Sequence, residues 1–542
     1  MPPEIRSTGR SFGVRVASAI GAPAARWGTP LAAWAARHEA WCLAATLTFI
    51  AAKLVNAAHR PFWYDELFTF YISRLPRLGQ LFEAIPADGN PPLSYLLVRY
   101  SLRAFGENEL AARLPSILGF LMALLAIYTF IRRRGGAVPG LLGIACLTTS
   151  MMADYGSEAR PYALLLGFTG VAMVCWQAAG DSRRFRLVPL TGLALGIAGA
   201  IASHHYGVLH VGIPLLCGEA VRLIRRRRLD WPVYVACAAG LSALALTLPF
   251  ARRTQGNMLR YVSDSASFWA RPHLRSLLSY YYMANPWLVP GFLLLLCLTW
   301  AGCGPGDESG PANRGKHVFP EHEIAAALGL ALLTPVIVGV SWLSTGYYIA
   351  RYAIGTAMGI ALLMGMAAAR RGRNPSHGHS AAALCLAALV VVNAGSAAIG
   401  FVFPTVTAPV AAADPPPGSL LETIPGQEPI VLASALDYMP TWWYASPQLR
   451  QRLHYLADLS FAVRQADFLP EYSLVTNQQF IPSKPDDYRS FLSLHRAFLL
   501  YSSGTQRLEW NQTRLLSEGW ALQTIYKAGK VTLYRAQAPA PR

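Results

Sequence analysis

The sequence predicts an α-helical protein that crosses a membrane many times and continues into a smaller α/β domain at its C-terminus. Of the 542 residues, 53% are hydrophobic and only 14% are charged, which is unlike the composition of a soluble globular domain. The apolar residues form blocks whose length matches that of a helix crossing the hydrocarbon core of a bilayer. These blocks stop before residue 404, and the remaining chain consists of short apolar runs separated by turn residues.

Eleven apolar blocks are predicted to be membrane-spanning helices. They cover residues 39–58, 110–131, 137–153, 161–179, 187–203, 206–224, 231–250, 286–303, 323–343, 350–369 and 381–403. Basic clusters such as Arg132–Arg134 and Arg225–Arg228 lie in alternate loops, whereas the short loops 203–206 and 344–349 contain no Lys or Arg. This alternation follows the positive-inside rule, and it predicts a cytoplasmic N-terminus and a C-terminus on the outer side of the membrane.

Three regions follow from this pattern. Residues 1–38 are predicted to be a basic cytoplasmic tail, because no compact apolar segment of the kind found in a signal peptide precedes residue 39. Residues 39–403 form the transmembrane domain, with a first outer loop at 59–109, and residues 404–542 form an extracytoplasmic, periplasmic α/β domain. In that domain we expect strands at 429–434, 453–456 and 497–502, helices at 437–452 and 508–518, and a hairpin of 521–528 with 530–535 around Gly529.

The outer loops have features of their own. In the first loop, Leu67–Arg74 and Pro92–Phe105 have apolar faces with scattered Arg, which predicts helices lying in the plane of the membrane interface. The second loop, 251–285, carries five Arg among aromatic residues. Two interpretations fit this loop equally well. Its arginines either extend their charged ends to the membrane interface or bind an anion.

Charge and cysteine content exclude several other classes of protein. The net charge of +18 would suggest nucleic-acid binding in a soluble protein, but here the basic residues follow the loops, so we expect membrane lipids and no nucleic acid as partners. The eight Cys lie within or at the ends of apolar blocks without CxxC spacing. We therefore predict neither a disulfide framework nor a metal site.

Two adjacent carboxylates, Asp65 and Glu66, come just after the first apolar block, in the tetrad Trp63-Tyr64-Asp65-Glu66. A carboxylate at a membrane surface is suited to accept the proton of a hydroxyl group that attacks a substrate. The alternative is that Asp65 is only the N-cap of the helix that follows. The two roles are compatible.

A second group of charged residues, Asp154, Glu158 and Arg160, lies between the third and fourth spans. Unpaired charges at this depth are costly, so they indicate either function or mutual pairing. One interpretation is a structural Glu158–Arg160 ion pair. The other is that the carboxylates are catalytic and orient a sugar or an acceptor, while Arg160 neutralises a phosphate.

A third candidate is Arg351 with its neighbour Tyr352, at the start of the tenth span. Arg351 has no acidic neighbour in sequence and is flanked by tyrosines. It either extends to the interface or binds a lipid phosphate through paired charge-assisted hydrogen bonds.

Together these motifs resemble the protein-mannosyltransferase-like superfamily. The residues that carry the resemblance are Trp63–Glu66, Asn90–Leu97, Glu109–Pro115, Ser157–Tyr162 and Arg351–Tyr352, within residues 40–370. The superfamily includes the aminoarabinose transferases that act on lipid A, the rhizobial core galacturonosyltransferases and the protein O-mannosyltransferases.

The resemblance implies a GT-C fold of about eleven transmembrane helices in a bacterial inner membrane. Such enzymes transfer a sugar, with inversion, from a polyprenyl-phosphate carrier to an extracytoplasmic acceptor, which is lipid A, a polysaccharide, a glycolipid or a protein. The family's first-loop Asp aligns with Asp65, which would be the general base supported by Glu66, while Arg351 would stabilise the leaving phosphate. The resemblance implies no cofactor beyond the lipid-linked sugar donor and leaves a divalent metal open; Asn90 stands where many relatives have His, so we assign no metal ligand.

A transporter of lipid-linked sugars is the alternative function. Transporters commonly contain internal repeats and charges near the middle of the bilayer. This sequence shows no repeat, and Asp65, Asp154, Glu158 and Arg351 all fall at the outer ends of spans. That placement favours a reaction at the membrane surface.

Overall fold

The computed structural model describes residues 30–181, 185–264, 270–277, 318–369, 417–465, 470–504 and 508–540. The predicted spans 286–303 and 381–403 lie outside the described residues, as do residues 1–29 of the predicted tail and residues 265–269 and 278–285 of the second outer loop. The described residues form a helical body and a C-terminal α/β region.

Fourteen helices of the body have both of their bounds among the described residues. They are α1 (Glu39–Ala57), α2 (Tyr64–Arg74), α3 (Leu78–Asp88), α4 (Pro92–Phe105), α5 (Glu109–Gly135), α6 (Ala137–Thr148), α7 (Tyr162–Asp181), α8 (Leu187–Ser203), α9 (Gly207–Arg226), α10 (Trp231–Leu241), α11 (Ala243–Asp264), α12 (Glu321–Ala331), α13 (Leu333–Ser344) and α14 (Gly355–Ala368). Five helical segments are long and apolar enough to cross a membrane, or up to seven if each bent pair is one span, among the residues searched. This confirms the prediction of a multi-pass helical membrane protein.

The third predicted span, 137–153, is not a straight helix. It consists of α6 and a 3-10 segment, Met151–Ser157, with a bend of 81° between them. The hydroxyls of Thr148, Thr149 and Ser150 donate to backbone carbonyls of the last turn of α6. Hydroxyls that bond the helix's own carbonyls favour a bend or an end of the helix, which the apolar pattern does not reveal. The predicted span 323–343 is likewise divided into α12 and α13, bent by 49°.

The centre of the body is the pair α5 and α7, which approach closely through glycines. A Cβ atom on Gly119 would lie 2.8 Å from the backbone of Ala163, and one on Gly167 would lie 2.5 Å from the carbonyl oxygen of Gly119. Small residues at such crossings allow helix backbones to pack directly against each other in a membrane. By contrast, α1 lies at the periphery, with only Ile50 and Leu54 buried.

The C-terminal region is built on a five-stranded mixed sheet. Its strands are β1 (Ile430–Leu432), β2 (Leu453–His454), β5 (Ala497–Ser502), β6 (Ala521–Ala528) and β7 (Val531–Gln537), and the order in the sheet is β2-β1-β5-β7-β6. Strand β1 is parallel to both β2 and β5, while β7 is antiparallel to β5 and β6. The predicted hairpin is confirmed, and Gly529 adopts the positive φ of 57° at its turn.

Two predictions for the C-terminal region were wrong in detail. The strand expected at 453–456 is divided between β2 and the separate strand β3 (Leu456–Ala457), which pairs with β4 (Asp486–Asp487) in a second sheet. The helix expected at 437–452 is two helices, Ala435–Tyr444 and Pro447–Arg450. Pro447 has no backbone N–H and cannot continue the first helix, so the chain turns there.

The C-terminal region packs against α2, the helix that begins at the Asp65–Glu66 pair. The ring of Trp443 contacts the rings of Phe70 and Tyr71, at centroid distances of 5.1 and 5.6 Å. The Tyr64 hydroxyl donates to the carbonyl of Pro470. We predicted that the apolar face of α2 lies against the membrane interface, but nine of its eleven residues are buried. The apolar face of α2 is covered by protein instead.

We expect Trp443→Ala to lower the midpoint of thermal unfolding of the purified protein, because it removes the main aromatic contact between the C-terminal region and α2. The loss should be about 2–4 kcal/mol, as for a large aromatic residue removed from a packed contact. Differential scanning fluorimetry in detergent measures it. The matched control is Trp342→Ala, since Trp342 is 77% exposed; equal losses in the two variants would contradict the prediction.

Candidate functional site

Asp65 lies in the first turn of α2 and pairs with an arginine that is distant in sequence. Its Oδ2 is 2.9 Å from Nη2 of Arg351, and both side chains are about four-fifths buried. The N-cap of α2 is Trp63, not Asp65, so the interpretation of Asp65 as the N-cap was wrong. Its carboxylate therefore has no capping role and is held in place by Arg351.

Glu66 points in the opposite direction, into the protein, and is fully buried against Arg113. Its Oε1 accepts from Nε of Arg113 and from the backbone N–H of Ala159, each at 2.7 Å. Arg113 also donates to the carbonyls of Ala58, Arg60 and Pro61. The pair thus ties together the end of the first span, the start of α2 and the segment that carries Glu158.

Glu158 is the second carboxylate near Asp65. Its Oε1 is 3.6 Å from Nη2 of Arg60, while its Oε2 is buried and has no hydrogen-bond partner among the described residues. Burial, and after it the charge of Glu66, raises the pKa of Glu158 to about 7. Glu158 is therefore partly protonated at neutral pH and can donate as well as accept a hydrogen bond.

Arg160 does not pair with Glu158, so that interpretation was wrong. Its side chain is almost fully buried and forms an ion pair with Asp88, at 3.0 Å. It also donates to the backbone carbonyl of Asp65 and to the hydroxyl of Thr69. Arg160 thereby fixes the first turn of α2, while its Nε has no partner among the described residues.

Arg351 and Tyr352 lie among aromatic side chains. The guanidinium of Arg351 is 5.6 Å from the ring centroid of Tyr162. The ring of Tyr352 packs against His204 and Tyr206, at 5.4 Å in each case. Burial lowers the pKa of His204 well below its usual value, so this imidazole is neutral. The cation Arg351 is thus backed by neutral rings on one side and faces Asp65 on the other.

Asp154 stands apart from the other candidates. It lies in the 3-10 segment after α6 and its side chain is exposed. Among the described residues, it makes no side-chain hydrogen bond or ion pair with Asp65, Glu66 or Glu158. The structure therefore brings together Asp65, Glu158, Arg351 and Arg60, with Glu66 and Arg160 behind them.

Sequence reasoning missed Asp88, Arg113 and Arg60 as members of this site. Arg113 lies within the motif Glu109–Pro115, which was singled out for the resemblance but not for an ion pair. Its partner Glu66 is 47 residues away, and Asp88 is 72 residues from Arg160. No local spacing signals contacts at such separations.

In the described part of the chain there is no group of three or more His, Cys, Asp or Glu side chains placed to hold a metal ion. The site presents carboxylates beside arginines. An ionised carboxylate can accept a proton from a hydroxyl group, and the arginines beside it can bind an anion.

Comparison with known proteins agrees with this architecture. The model of the family "Dolichyl-phosphate-mannose-protein mannosyltransferase" matches residues 89–251. A comparison with curated proteins gives no match. The crystal structure of ArnT from Cupriavidus metallidurans in the apo state superposes with a TM-score of 0.53 at 12% identity, over 92% of this chain and 98% of that chain. The same protein bound to undecaprenyl phosphate superposes with a TM-score of 0.51 at 13% identity, over 92% and 97% of the two chains.

These matches define the class of the protein as a helical membrane protein of GT-C fold with a C-terminal α/β region, which confirms the predicted fold. The resemblance of its motifs to the protein-mannosyltransferase-like superfamily is confirmed over residues 89–251, which the family model matches.

Proposed function

We propose that the protein is a glycosyltransferase that moves a sugar from a polyprenyl-phosphate carrier to an acceptor hydroxyl at the membrane surface. The observation that carries the proposal is the Asp65–Arg351 pair beside Glu158, which sets a base next to a cation for a phosphate. The family model and the undecaprenyl phosphate bound to the similar ArnT structure support the choice of a carrier lipid.

In the proposed reaction, an oxygen of the acceptor attacks C1 of the sugar while the bond between C1 and the phosphate oxygen breaks. Attack opposite the leaving group inverts the configuration at C1. Asp65 accepts the hydroxyl proton, and the electron pair of the broken bond leaves with polyprenyl phosphate. Arg351 stabilises the charge that develops on this phosphate.

The remaining residues have supporting roles in this proposal. Arg60 adds a second positive charge beside Glu158, and Tyr352 shapes the surroundings of Arg351. Arg160 was predicted from the sequence to bind phosphate, but it forms an ion pair with Asp88 and therefore mainly holds α2 in place. Glu66 likewise holds the start of α2 in place through its ion pair with Arg113. Asp154, exposed at the edge, is left to orient the acceptor.

We further propose that Glu158 acts in its protonated form, donating a hydrogen bond to the sugar. With a pKa of about 7, it loses that proton as the pH rises, so activity should fall on the alkaline side with a midpoint near that value. Glu158→Gln keeps a hydrogen-bond donor at every pH, and we expect it to remain active and to lose this alkaline decline. The measurement is the initial rate from pH 5 to 9, a range of about two pH units on each side of this pKa. An unchanged alkaline decline in Glu158→Gln would refute the proposed role of Glu158.

The proposal includes a location. The alternating basic loops support a position of the site and the C-terminal region on the outer face of the membrane. The resemblance implies that this membrane is a bacterial inner membrane, so the outer face is periplasmic. The acceptor is a lipid A, polysaccharide, glycolipid or protein hydroxyl group. The C-terminal region, which packs on α2, is placed to influence which acceptor reaches Asp65.

The test is release of polyprenyl phosphate by the purified protein in nanodiscs, from a panel of polyprenyl-phosphate sugars with membrane glycolipids as acceptors. Turnover of one donor supports the proposal and names the sugar. If no donor turns over while labelled carrier lipid crosses the bilayer of proteoliposomes, the protein is a transporter of lipid-linked sugars instead.

A further inference from the structure

A cavity of about 540 Å³ lies between α1 and α5, at the ends of these helices that are farthest from Asp65. The nineteen residues of α1 span about 27 Å, so its start and the catalytic segment after its end lie on opposite sides of the bundle. The cavity is thus separate from the site described above. The side chains that characterise its lining are Arg37, Glu39, Leu43, Leu125, Tyr128 and Arg132.

The polar end of the cavity carries a surplus of positive charge. The Glu39 carboxylate accepts hydrogen bonds from Arg132 and from the Tyr128 hydroxyl, which fixes both side chains at the wall. Arg37 donates from Nε to the carbonyl of Ala33 and pairs with no carboxylate of the described residues. Two guanidinium groups against one carboxylate leave one positive charge that an anion can neutralise.

The other end of the cavity is apolar. Leu43 and Leu125 lie one turn or more deeper along α1 and α5, and Leu125 is 45% exposed although it belongs to a helix at the centre of the body. Trp34 and Trp41, which are 53% and 78% exposed, are close in sequence to Arg37 and Glu39 at the polar end. Exposed tryptophans mark the level of the lipid headgroups. The cavity therefore crosses from the headgroup level into the hydrocarbon region.

We propose that this cavity is a binding site for an anionic glycerophospholipid. The lipid phosphate is held by Arg37 and Arg132, and an acyl chain fills the space against Leu43 and Leu125. The combination requires both parts of the ligand, because a free anion would leave the apolar wall uncovered and an uncharged lipid would leave Arg37 unneutralised. A lipid in this position also fastens α1, which otherwise buries few residues against the bundle.

The test is native mass spectrometry of the full-length protein extracted from nanodiscs that contain phosphatidylcholine with or without phosphatidylglycerol. The wild type should retain phosphatidylglycerol and not phosphatidylcholine alone. Arg37→Ala removes a charged hydrogen-bond donor and should weaken retention about tenfold or more. Ala40→Trp, which fills the cavity without changing charge, should weaken it as well.

Two variants serve as matched controls. Arg226→Ala removes an exposed arginine elsewhere in the protein, and Ala52→Trp adds a ring to an exposed position of α1 that does not line the cavity. Both should retain the lipid as the wild type does. Retention of phosphatidylglycerol by Ala40→Trp, equal retention of phosphatidylcholine, or displacement of the lipid by inorganic phosphate alone would overturn the proposal.

Discussion

Asp65→Asn should reduce the rate of polyprenyl phosphate release by about 10²–10⁴-fold, because an amide cannot accept the proton of the acceptor hydroxyl. Asn has nearly the same shape as Asp and can still accept one hydrogen bond from Arg351. The helix start that Trp63 and Glu66 form does not depend on the Asp65 side chain. We therefore expect the variant to fold, to bind the donor and to fail in the chemical step.

The measurement is turnover in nanodiscs with the donor that the wild type accepts, together with binding of that donor. The matched control is Asp181→Asn, which changes another aspartate that pairs with an arginine, Arg134, at 2.6 Å. The control should keep its turnover. Normal turnover by Asp65→Asn would move the base elsewhere, with Glu158 the next candidate, and the proposed function would survive on the donor panel alone.

The second large effect concerns stability. Arg113→Leu should destabilise the protein by about 3–5 kcal/mol, because it leaves the carboxylate of Glu66 buried without its partner. The carbonyls of Ala58, Arg60 and Pro61 also lose their donor. Each buried acceptor that is left unsatisfied adds about 1–3 kcal/mol. The expected result is a strongly lowered unfolding midpoint, or failure to accumulate in the membrane.

The control for Arg113→Leu is Arg225→Leu. Arg225 also pairs with a glutamate, Glu321, but both side chains are at least half exposed. Exposed ion pairs contribute about 0–1 kcal/mol, so this variant should unfold close to the wild-type temperature. Fluorescence-detected thermal unfolding compares the two. A similar small change in both would show that the Glu66–Arg113 pair does not hold the site together.

A double variant separates the two contributions of Arg113. In the double variant Glu66→Gln with Arg113→Leu, no unpaired charge is left at position 66. The three carbonyls that Arg113 served still lack their donor. We expect it to be more stable than Arg113→Leu and less stable than the wild type. Recovery to the wild-type midpoint would assign the whole effect to the charge of Glu66.

Much of the fold could be predicted from composition and periodicity. Apolar blocks of sufficient length in a chain with few charges admit few structures other than helices that cross a membrane, because only these satisfy their own backbone there. The helix at 92–105 and the strand at 497–502 were also predicted with the bounds that the structure has. The end of the helix after Thr148 was not predicted. It depends on side-chain hydroxyls that donate to the helix's own carbonyls, and a hydropathy pattern contains no information on such hydrogen bonds.

The candidate site divides in the same way. The sequence by itself determined that carboxylates and arginines lie at the ends of apolar spans, because Asp65, Glu158 and Arg351 each stand out where a lone charge is costly. Only the tertiary structure decided the partners. It pairs Asp65 with Arg351, which comes 286 positions later in the sequence, and turns the neighbouring Glu66 inward to Arg113.

The physical reason is that successive positions of a helix point in different directions, so adjacent carboxylates meet different surroundings once neighbouring elements are in place. The sequence specifies which charged residues must be paired. The packing of elements that are distant in sequence specifies the partner of each charged residue and the depth at which the pair is buried. That difference leaves Asp65 at the surface of the site and places Glu66 beneath it as its support.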